Sequence, residues 1–313
     1  MESTGSDWKP VFNLLEAPFT TWLVNPSHIQ AVPGRKTDVQ DSEWIADWLQ
    51  HGLLQPRIIP DRAQRELREL TRYRKSLIEE RAREANRIQK VLEGANIQLR
   101  SVISDVLGTS GTRILRALAR GETDPTQLAA LADDRIRATP EALTRVLDGL
   151  MGGHQQFLLA QQLRHLTTLD EQITALDTEV ETRLAPFLKT RDLLETHPGV
   201  GRRPAETVLA EIGPTVDAFR SPEALAKWIG LAPGHHESAG KRLFGSTIPG
   251  NRSLRAALVE AGQAAGRTQA TSVGAQYRRM PRTKGTKRAA VIVAHTLVVD
   301  LWYMLTPKAS ATR

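Results

Sequence analysis

The stretch FLLAQQLRHLTTLDEQITALDTEVETRLAPF, residues 157–187, sets the architecture expected for this chain of 313 residues. Its apolar residues recur at spacings of three and four, the heptad pattern of a helix that packs lengthwise on another helix. They are Leu166, Leu169, Ile173, Leu176, Val180 and Phe187, with Arg183 filling one heptad position. The pattern predicts one long helix with a continuous apolar seam.

A second long helix is predicted over residues 61–100. Its apolar positions are interrupted by Arg74 and Arg81, and they include Leu67, Leu70, Leu77, Ile88 and Leu92. The two seams predict either a helical hairpin within one chain or a coiled-coil dimer, and periodicity alone leaves both open.

The other segments place these helices in a mainly α chain with a small α/β part. Residues 1–60 predict a helix over 7–16, a strand over 19–24 and a helix from Thr37 to about Gln50, which Thr37 and Gln40 start as a capping box. Residues 105–155 predict short helices, and the last third is helical with Gly-rich connections. Three regions result, bounded at 1–60, 61–188 and 189–313.

Positive charge is concentrated near the carboxy terminus. The chain has a formal net charge of +7, and residues 191–313 hold 18 Lys and Arg against 9 Asp and Glu. Segment 277–288 has no acid and six basic residues: Arg278, Arg279, Arg282, Lys284, Lys287 and Arg288. Such a patch is typical of nucleic-acid binding, although a solvated tail is the simpler alternative.

Composition excludes several classes of site. The absence of Cys rules out disulfides, Cys-ligated zinc, iron–sulfur clusters and thiol nucleophiles. The amino terminus lacks the basic and apolar regions of a signal peptide. The apolar stretch from Ala289 to Leu305 is shorter than the roughly 20 residues of a membrane span, so a buried helix and a cytoplasmic protein are expected.

Asp38 and Asp41 form the first candidate site. Their i,i+3 spacing places both on one helix face, which continues to Ile45 and Trp48. Carboxylates on an inward-facing stripe predict a Mg²⁺ or Mn²⁺ site, with Glu2 as a possible third ligand if a strand ends there. From spacing alone, stabilisation of the helix N-terminus by the two acids is the better explanation.

Two glycine-rich turns form the other candidates. The turn His197–Gly201 precedes a helical pattern and resembles a helix-hairpin-helix, in which Gly199, Gly201, Arg202 and Arg203 would bind phosphate. An ordinary helix–helix turn is the alternative. The segment GLAPGHHESAGKR, residues 230–242, places Ser238 near Lys241 and Arg242, the residue types that a serine attacking phosphorus requires. Taken alone, Ser238 would more often be a plain loop serine.

Three separated strings resemble the transposases of the insertion sequence 110 family. MESTG (1–5) with VPGRKTDVQDSEW (32–44) is similar to the end of that family's Asp-Glu-Asp-Asp domain, and LTRYR (70–74) to the start of its coiled coil. HPGVG (197–201), GLAPGHHESAGK (230–241), Gly250-Asn251 and Leu254-Arg255 are similar to its serine-bearing domain. The resemblance spans the chain in the family's order.

The resemblance implies an RNase H-like domain that binds Mg²⁺ through Glu2, Asp38 and Asp41, the second to fourth acids of the tetrad. It implies that Ser238 attacks DNA, that the two sites combine across subunits of a dimer or tetramer, and that a structured noncoding RNA guides the reaction. The first acid of the tetrad would precede Glu2, so the sequence predicts an incomplete RNase H-like domain. The expected function is a DNA transposase, and the alternative is a truncated, inactive relic that binds nucleic acid and oligomerises.

Overall fold

The computed structural model describes residues 1, 7–24, 38–54, 56–133, 136–234, 237–238, 241–242, 247–280 and 285–307. Only the backbone is described for residues 38–41, 237–238 and 241–242. The protein is 69% helical with almost no strand, which confirms the mainly α class. It divides into two compact units, residues 1–63 and 64–313.

The smaller unit contains two helices, α1 (Trp8–Leu15) and α2 (Asp38–Gln50). Both agree with the predicted helices to within one residue at each end. Ile45 and Trp48 of α2 are half-buried against the buried side chains of Val24 and Leu54. The apolar half of the stripe that begins at Asp38 therefore faces the interior of this unit, as its spacing predicts.

The predicted strand at residues 19–24 is wrong. Residues 20–23 have no regular secondary structure, and of this segment only Val24 forms a bridge. The Met1 ammonium donates to the Trp22 carbonyl at 2.7 Å, and the Val24 N–H donates to the Met1 carbonyl at 2.9 Å. Aromatic and β-branched residues favour a strand only where a neighbouring strand pairs with them, and no such strand lies among the described residues of this unit.

The larger unit is organised by two long helices, α3 (Arg62–Gly94) and α7 (Gly153–Leu184). Leu77 of α3 is buried with Leu169 and Ile173 of α7. Ion pairs such as Arg183–Glu66, at 2.8 Å, and Arg74–Asp177, at 2.9 Å, show that the helices run antiparallel. The heptad seam is thus filled within one chain, so the hairpin is the alternative that the structure shows, and self-association remains a prediction.

Three short helices join α3 to α7, and each contributes to one apolar core. They are α4 (Thr109–Ala119), α5 (Pro125–Ala130) and α6 (Pro140–Leu147). The Asp124 carboxylate caps α5 by accepting from the Thr126 N–H at 2.9 Å. Leu115, Leu128 and Leu159 are fully buried in the shared core.

The carboxy-terminal helices surround a second, larger core. They are α8 (Leu188–Glu195), α9 (Arg202–Glu211), α10 (Pro222–Ile229), α11 (Arg252–Arg267), α12 (Ser272–Arg279) and α13 (Thr286–Leu305). Two strands of two residues, β1 (Glu237–Ser238) and β2 (Lys241–Arg242), lie between α10 and α11. Leu67 of α3 and Leu184 of α7 also enter this core, so the hairpin connects both cores.

Helix α13 is long and apolar enough to cross a membrane by length and composition alone. Eight of its residues are buried in the structure, including Val293, Leu297 and Leu301 within the larger core. This burial confirms the predicted buried helix. Length and hydropathy alone would not have distinguished it from a membrane span, since the core helix of a folded domain passes the same test.

Candidate functional site

Ser238 ends the first strand of a small hairpin. Strands β1 and β2 pair antiparallel, with Glu237 opposite Arg242 and Ser238 opposite Lys241. The backbone of Ser238 is therefore next to the backbone of Lys241, which is predicted to bind phosphate. His235, His236 and the turn residues 239–240 lie outside the described residues.

The two chain segments at the base of this hairpin lie in close contact. Pro233 and Thr247 form an antiparallel bridge below the strands. Gly230 ends α10 with φ +86°, and a Cβ on Gly250 would lie 2.3 Å from the Gly230 nitrogen. The two glycines allow the chain entering the hairpin to touch the chain leaving it, which no larger residue would permit.

Asn251 joins the exit of the hairpin to the helical core. Its Oδ1 accepts from the Leu254 N–H at 3.1 Å and so caps α11, and its backbone N–H donates to the Trp228 carbonyl at 3.1 Å. Its Nδ2 donates to Oε2 of Glu211 at 2.7 Å. The hairpin is thereby anchored to a side chain of α9.

Glu211 is a fully buried carboxylate held by two arginines of α3. Arg72 donates two hydrogen bonds to it, at 2.7 and 2.8 Å, and Arg68 donates to the Glu211 backbone carbonyl. The hydrogen bonds from Arg72 to the Glu211 carboxylate raise the pKa of Arg72, whereas burial lowers the pKa of Arg68. A buried carboxylate is stable here because paired guanidinium groups replace its lost hydration.

Glu206, five residues before Glu211 on α9, forms a second buried charge pair. Arg74 donates to it at 2.6 Å, and Arg202 donates to its other oxygen at 2.7 Å. Arg203 pairs with Asp177 at 3.0 Å. Arg202 and Arg203, predicted to bind phosphate, are therefore both held in ion pairs, although about half of each side chain stays exposed.

The turn between α8 and α9 joins two helices, which both the helix-hairpin-helix and the ordinary helix–helix turn require, so this alone does not distinguish them. Gly199 adopts φ +89°, and a Cβ there would lie 2.3 Å from the Ala261 carbonyl oxygen of α11. Gly201 has open space around it and occupies the N-cap position of α9. Gly199 therefore serves helix packing, and phosphate binding by the turn remains a prediction.

The predicted metal ligands are only partly described. Asp38 and Asp41 lie one turn apart at the start of α2, with only their backbone described, and Glu2 lies outside the described residues. Among the described residues, no group of three or more His, Asp or Glu side chains could hold a metal ion. The magnesium site therefore remains a prediction.

The basic segment divides into several parts. Arg278 and Arg279 end α12, and Arg278 donates to the carbonyls of Thr268, at 2.8 Å, and Gly266, at 3.3 Å. Lys287 and Arg288 are exposed in the first turn of α13. Arg282 and Lys284 lie outside the described residues, and the backbone alone is described for Lys241 and Arg242.

Two features of the site escaped the sequence analysis. One is the buried pair of acids, Glu206 and Glu211, which lie on different sides of α9 because they are five residues apart, so no shared face marked them in the sequence. The other is a cavity of about 380 Å³ beside the Pro233–Thr247 bridge, whose polar lining includes Gln276 and His295. Its residues come from distant segments and carry no shared pattern.

Comparison with known families accounts for both candidate regions. Residues 1–97 match the DEDD transposase model of the IS110 group, described as a transposase, and residues 191–278 match the transposase IS116/IS110/IS902 family. Comparison with curated proteins gives no match. The two matched segments cover more than half of the chain and hold the acidic pair and the serine hairpin, in that order. The chain belongs to the IS110 family of insertion-sequence transposases.

Proposed function

We propose that this transposase cuts and rejoins DNA through attack of the Ser238 hydroxyl on a backbone phosphodiester. The observation that supports this role most directly is the clamped hairpin, which holds the backbone of Ser238 opposite Lys241 above the Gly230–Gly250 contact. A nucleophile needs a fixed position because misplacement by about 1 Å costs on the order of 100-fold in rate.

In the proposed reaction the Ser238 oxygen forms a bond to phosphorus and gives up its proton to a base. The bond from phosphorus to one deoxyribose oxygen breaks, and that oxygen takes up a proton. Lys241 and Arg242 stabilise the charge on the phosphate oxygens. The resulting phosphoserine conserves the bond energy, so attack by another DNA hydroxyl on it rejoins a strand and frees Ser238.

Asp38 and Asp41, with Glu2, are the residues that would hold Mg²⁺. Two carboxylates one turn apart at the start of α2 fit the oxygen ligands that this ion prefers. When bound, the ion polarises the scissile phosphodiester. The face of α2 beyond the two acids packs against Val24 and Leu54, which supports a fixed orientation of the helix in its own unit.

DNA is the partner that the basic carboxy-terminal third supports. Exposed Arg279, Lys287 and Arg288 would bind backbone phosphates without selecting sequence. A structured guide RNA would select the site, and the acidic and serine sites would combine across two or more copies of the chain.

The test is formation of a covalent protein–DNA adduct on supercoiled DNA that carries the element ends, in the presence of RNA transcribed from the element and detected on a denaturing gel. The chain should form an adduct, Ser238→Ala should form none, and Ser272→Ala, at an exposed serine of α12, should match the unaltered chain. An adduct that survives in Ser238→Ala would refute the assignment. Asp38→Asn should abolish the adduct, whereas Asp47→Asn, farther along the same helix, should not.

A further inference from the structure

Four arginines converge on one open cleft between α3, α4 and α7 of the larger unit. The arginine cleft is lined by Arg81 of α3, by Arg116 and Arg120 at the end of α4, and by Arg164 of α7. Its volume is about 350 Å³, within the range of about 300–1,000 Å³ typical of ligand sites. Three of the arginines lie outside both family-matched segments.

Spacing along the helices explains why the charges meet. Thr112, Arg116 and Arg120 follow one another at intervals of four, so they share a face of α4 and its C-cap. Ala160 and Arg164 share a face of α7 for the same reason. These two faces border the cleft, with Arg81 contributed by α3.

The positive charge of the cleft is largely uncompensated. Arg81 is paired with Asp170, the only acid in the lining. Within the described residues, no carboxylate lies within 4.0 Å of the guanidinium groups of Arg116, Arg120 or Arg164. Four guanidinium groups and one carboxylate leave a net charge of +3. By contrast, Arg72, Arg74 and Arg202 elsewhere in this unit are all paired with acids.

The rest of the cleft surface is mainly apolar. Leu107, Ala119, Ala160, Leu163 and Leu166 form most of it, and Thr112 and Thr167 complete the lining. A small inorganic anion would use the arginines and gain nothing from this surface. A nucleotide unit would use both, because its phosphate binds guanidinium groups and the face of its base packs on apolar side chains.

We propose that the arginine cleft binds a single-stranded nucleic-acid segment, with Arg116, Arg120 and Arg164 on its backbone phosphates and a base against the apolar surface. The ligand class is a phosphodiester strand with an unpaired base, from either RNA or DNA. The site does not depend on Ser238 chemistry, and it can bind a strand in a chain that cuts none.

The test is fluorescence anisotropy of the full chain with labelled oligouridylate or oligothymidylate of about 12 nucleotides. The variant carries Arg116→Gln, Arg120→Gln and Arg164→Gln. The matched control carries Arg83→Gln, Arg113→Gln and Arg145→Gln, which remove the same charge from exposed positions outside the cleft.

Loss of three phosphate contacts should weaken binding by at least about tenfold and reduce the slope of log affinity against log salt by about 2. The control should lose less than about threefold. Equal losses in the two variants, or no loss in either, would overturn the proposal. Stronger binding of oligouridylate identifies the strand as RNA and the reverse order identifies it as DNA, and either result supports the site.

A second measurement uses the unaltered chain and so does not depend on how the variants fold. Phenylglyoxal modifies accessible arginines, and bound oligonucleotide should protect Arg116, Arg120 and Arg164 but not Arg83, Arg113 or Arg145. Modification of the cleft arginines at an unchanged rate in saturating oligonucleotide would refute the proposal. Failure of the Ser238 adduct test leaves both measurements valid, because neither needs strand cleavage.

Discussion

Asn251 Nδ2 donates a 2.7 Å hydrogen bond to Glu211 Oε2, and this bond links the serine hairpin to the long helical hairpin. Glu211 receives Arg72 from α3 on the same carboxylate, and Asn251 caps α11 directly after the hairpin. The chain that leaves the serine hairpin is therefore anchored to a buried carboxylate that lies 27 residues before Ser238 in the sequence.

Glu211→Gln should lower the free energy of unfolding by about 3 kcal/mol. The substitution removes the charge that compensates Arg68 and Arg72 and leaves both guanidinium groups partly desolvated. Urea denaturation measures the change. Glu179→Gln removes an acid from the exposed pair with Arg183 and should cost under about 1 kcal/mol. Equal costs for the two substitutions would contradict the role given to Glu211.

Gly199→Ala should cost roughly 2–4 kcal/mol, because it adds a Cβ against the Ala261 carbonyl at a φ that L residues rarely adopt. Gly201→Ala has open space and φ −89°, so it should cost under about 1 kcal/mol. Thermal unfolding followed by circular dichroism compares the two. If Gly201→Ala proves the more damaging, the packing role of Gly199 is wrong.

Arg74→Met and Glu206→Gln should each destabilise the protein, since each removes one of the two charged partners of a buried group. The double variant should cost less than the sum of the single variants, by about 1–2 kcal/mol. A double-mutant cycle in urea measures this coupling. The cycle of Arg81→Met with Asp170→Asn, a more exposed pair, should show a coupling below about 1 kcal/mol. Strictly additive costs at Arg74 and Glu206 would mean that their contact contributes nothing.

Glu223 should make stability depend on acid pH. The Ser221 hydroxyl, followed by the Glu223 backbone N–H, lowers the pKa of this carboxyl at the start of α10. Because its folded pKa lies below the unfolded one, its contribution is present above the unfolded pKa and is lost as the pH falls through the folded pKa.

The stability advantage of the unaltered chain over Glu223→Gln should therefore shrink between about pH 6 and pH 3. Thermal midpoints across this range test the sign. An advantage that grows as the pH falls would show that the pKa of Glu223 is raised instead.

The basic residues around α12 and α13 should fall into two groups, one that stabilises the fold and one that binds DNA. Arg278→Ala should lower the thermal midpoint, because it removes hydrogen bonds to the carbonyls of Gly266 and Thr268 at the end of α11. Arg279→Gln with Lys287→Gln should leave the midpoint unchanged and lower the salt slope of DNA binding by about 2. If the salt slope stays constant, these two residues do not contact phosphates.

Local patterns in the chain predicted most of the helices. The heptad at Leu166–Val180 predicted α7, and Thr37 with Gln40 predicted where α2 begins. The strand at 19–24 failed because a strand, unlike a helix, needs a partner from elsewhere in the chain. The catalytic roles predicted for Ser238, Asp38 and Asp41 came from the family resemblance. Their spacing alone favoured a plain loop serine and stabilisation of a helix N-terminus.

Helix formation depends on hydrogen bonds between residues four apart, so periodicity and capping residues were sufficient to predict α3 and α7. The partners of the charged residues depend on the fold. Arg74 interrupts the seam of α3, and only the folded chain brings it to Glu206, 132 residues away. The same holds for the pairing of the two apolar seams within one chain and for which arginines lack an acidic partner among the described residues, because contacts between distant segments leave no periodic trace in the sequence.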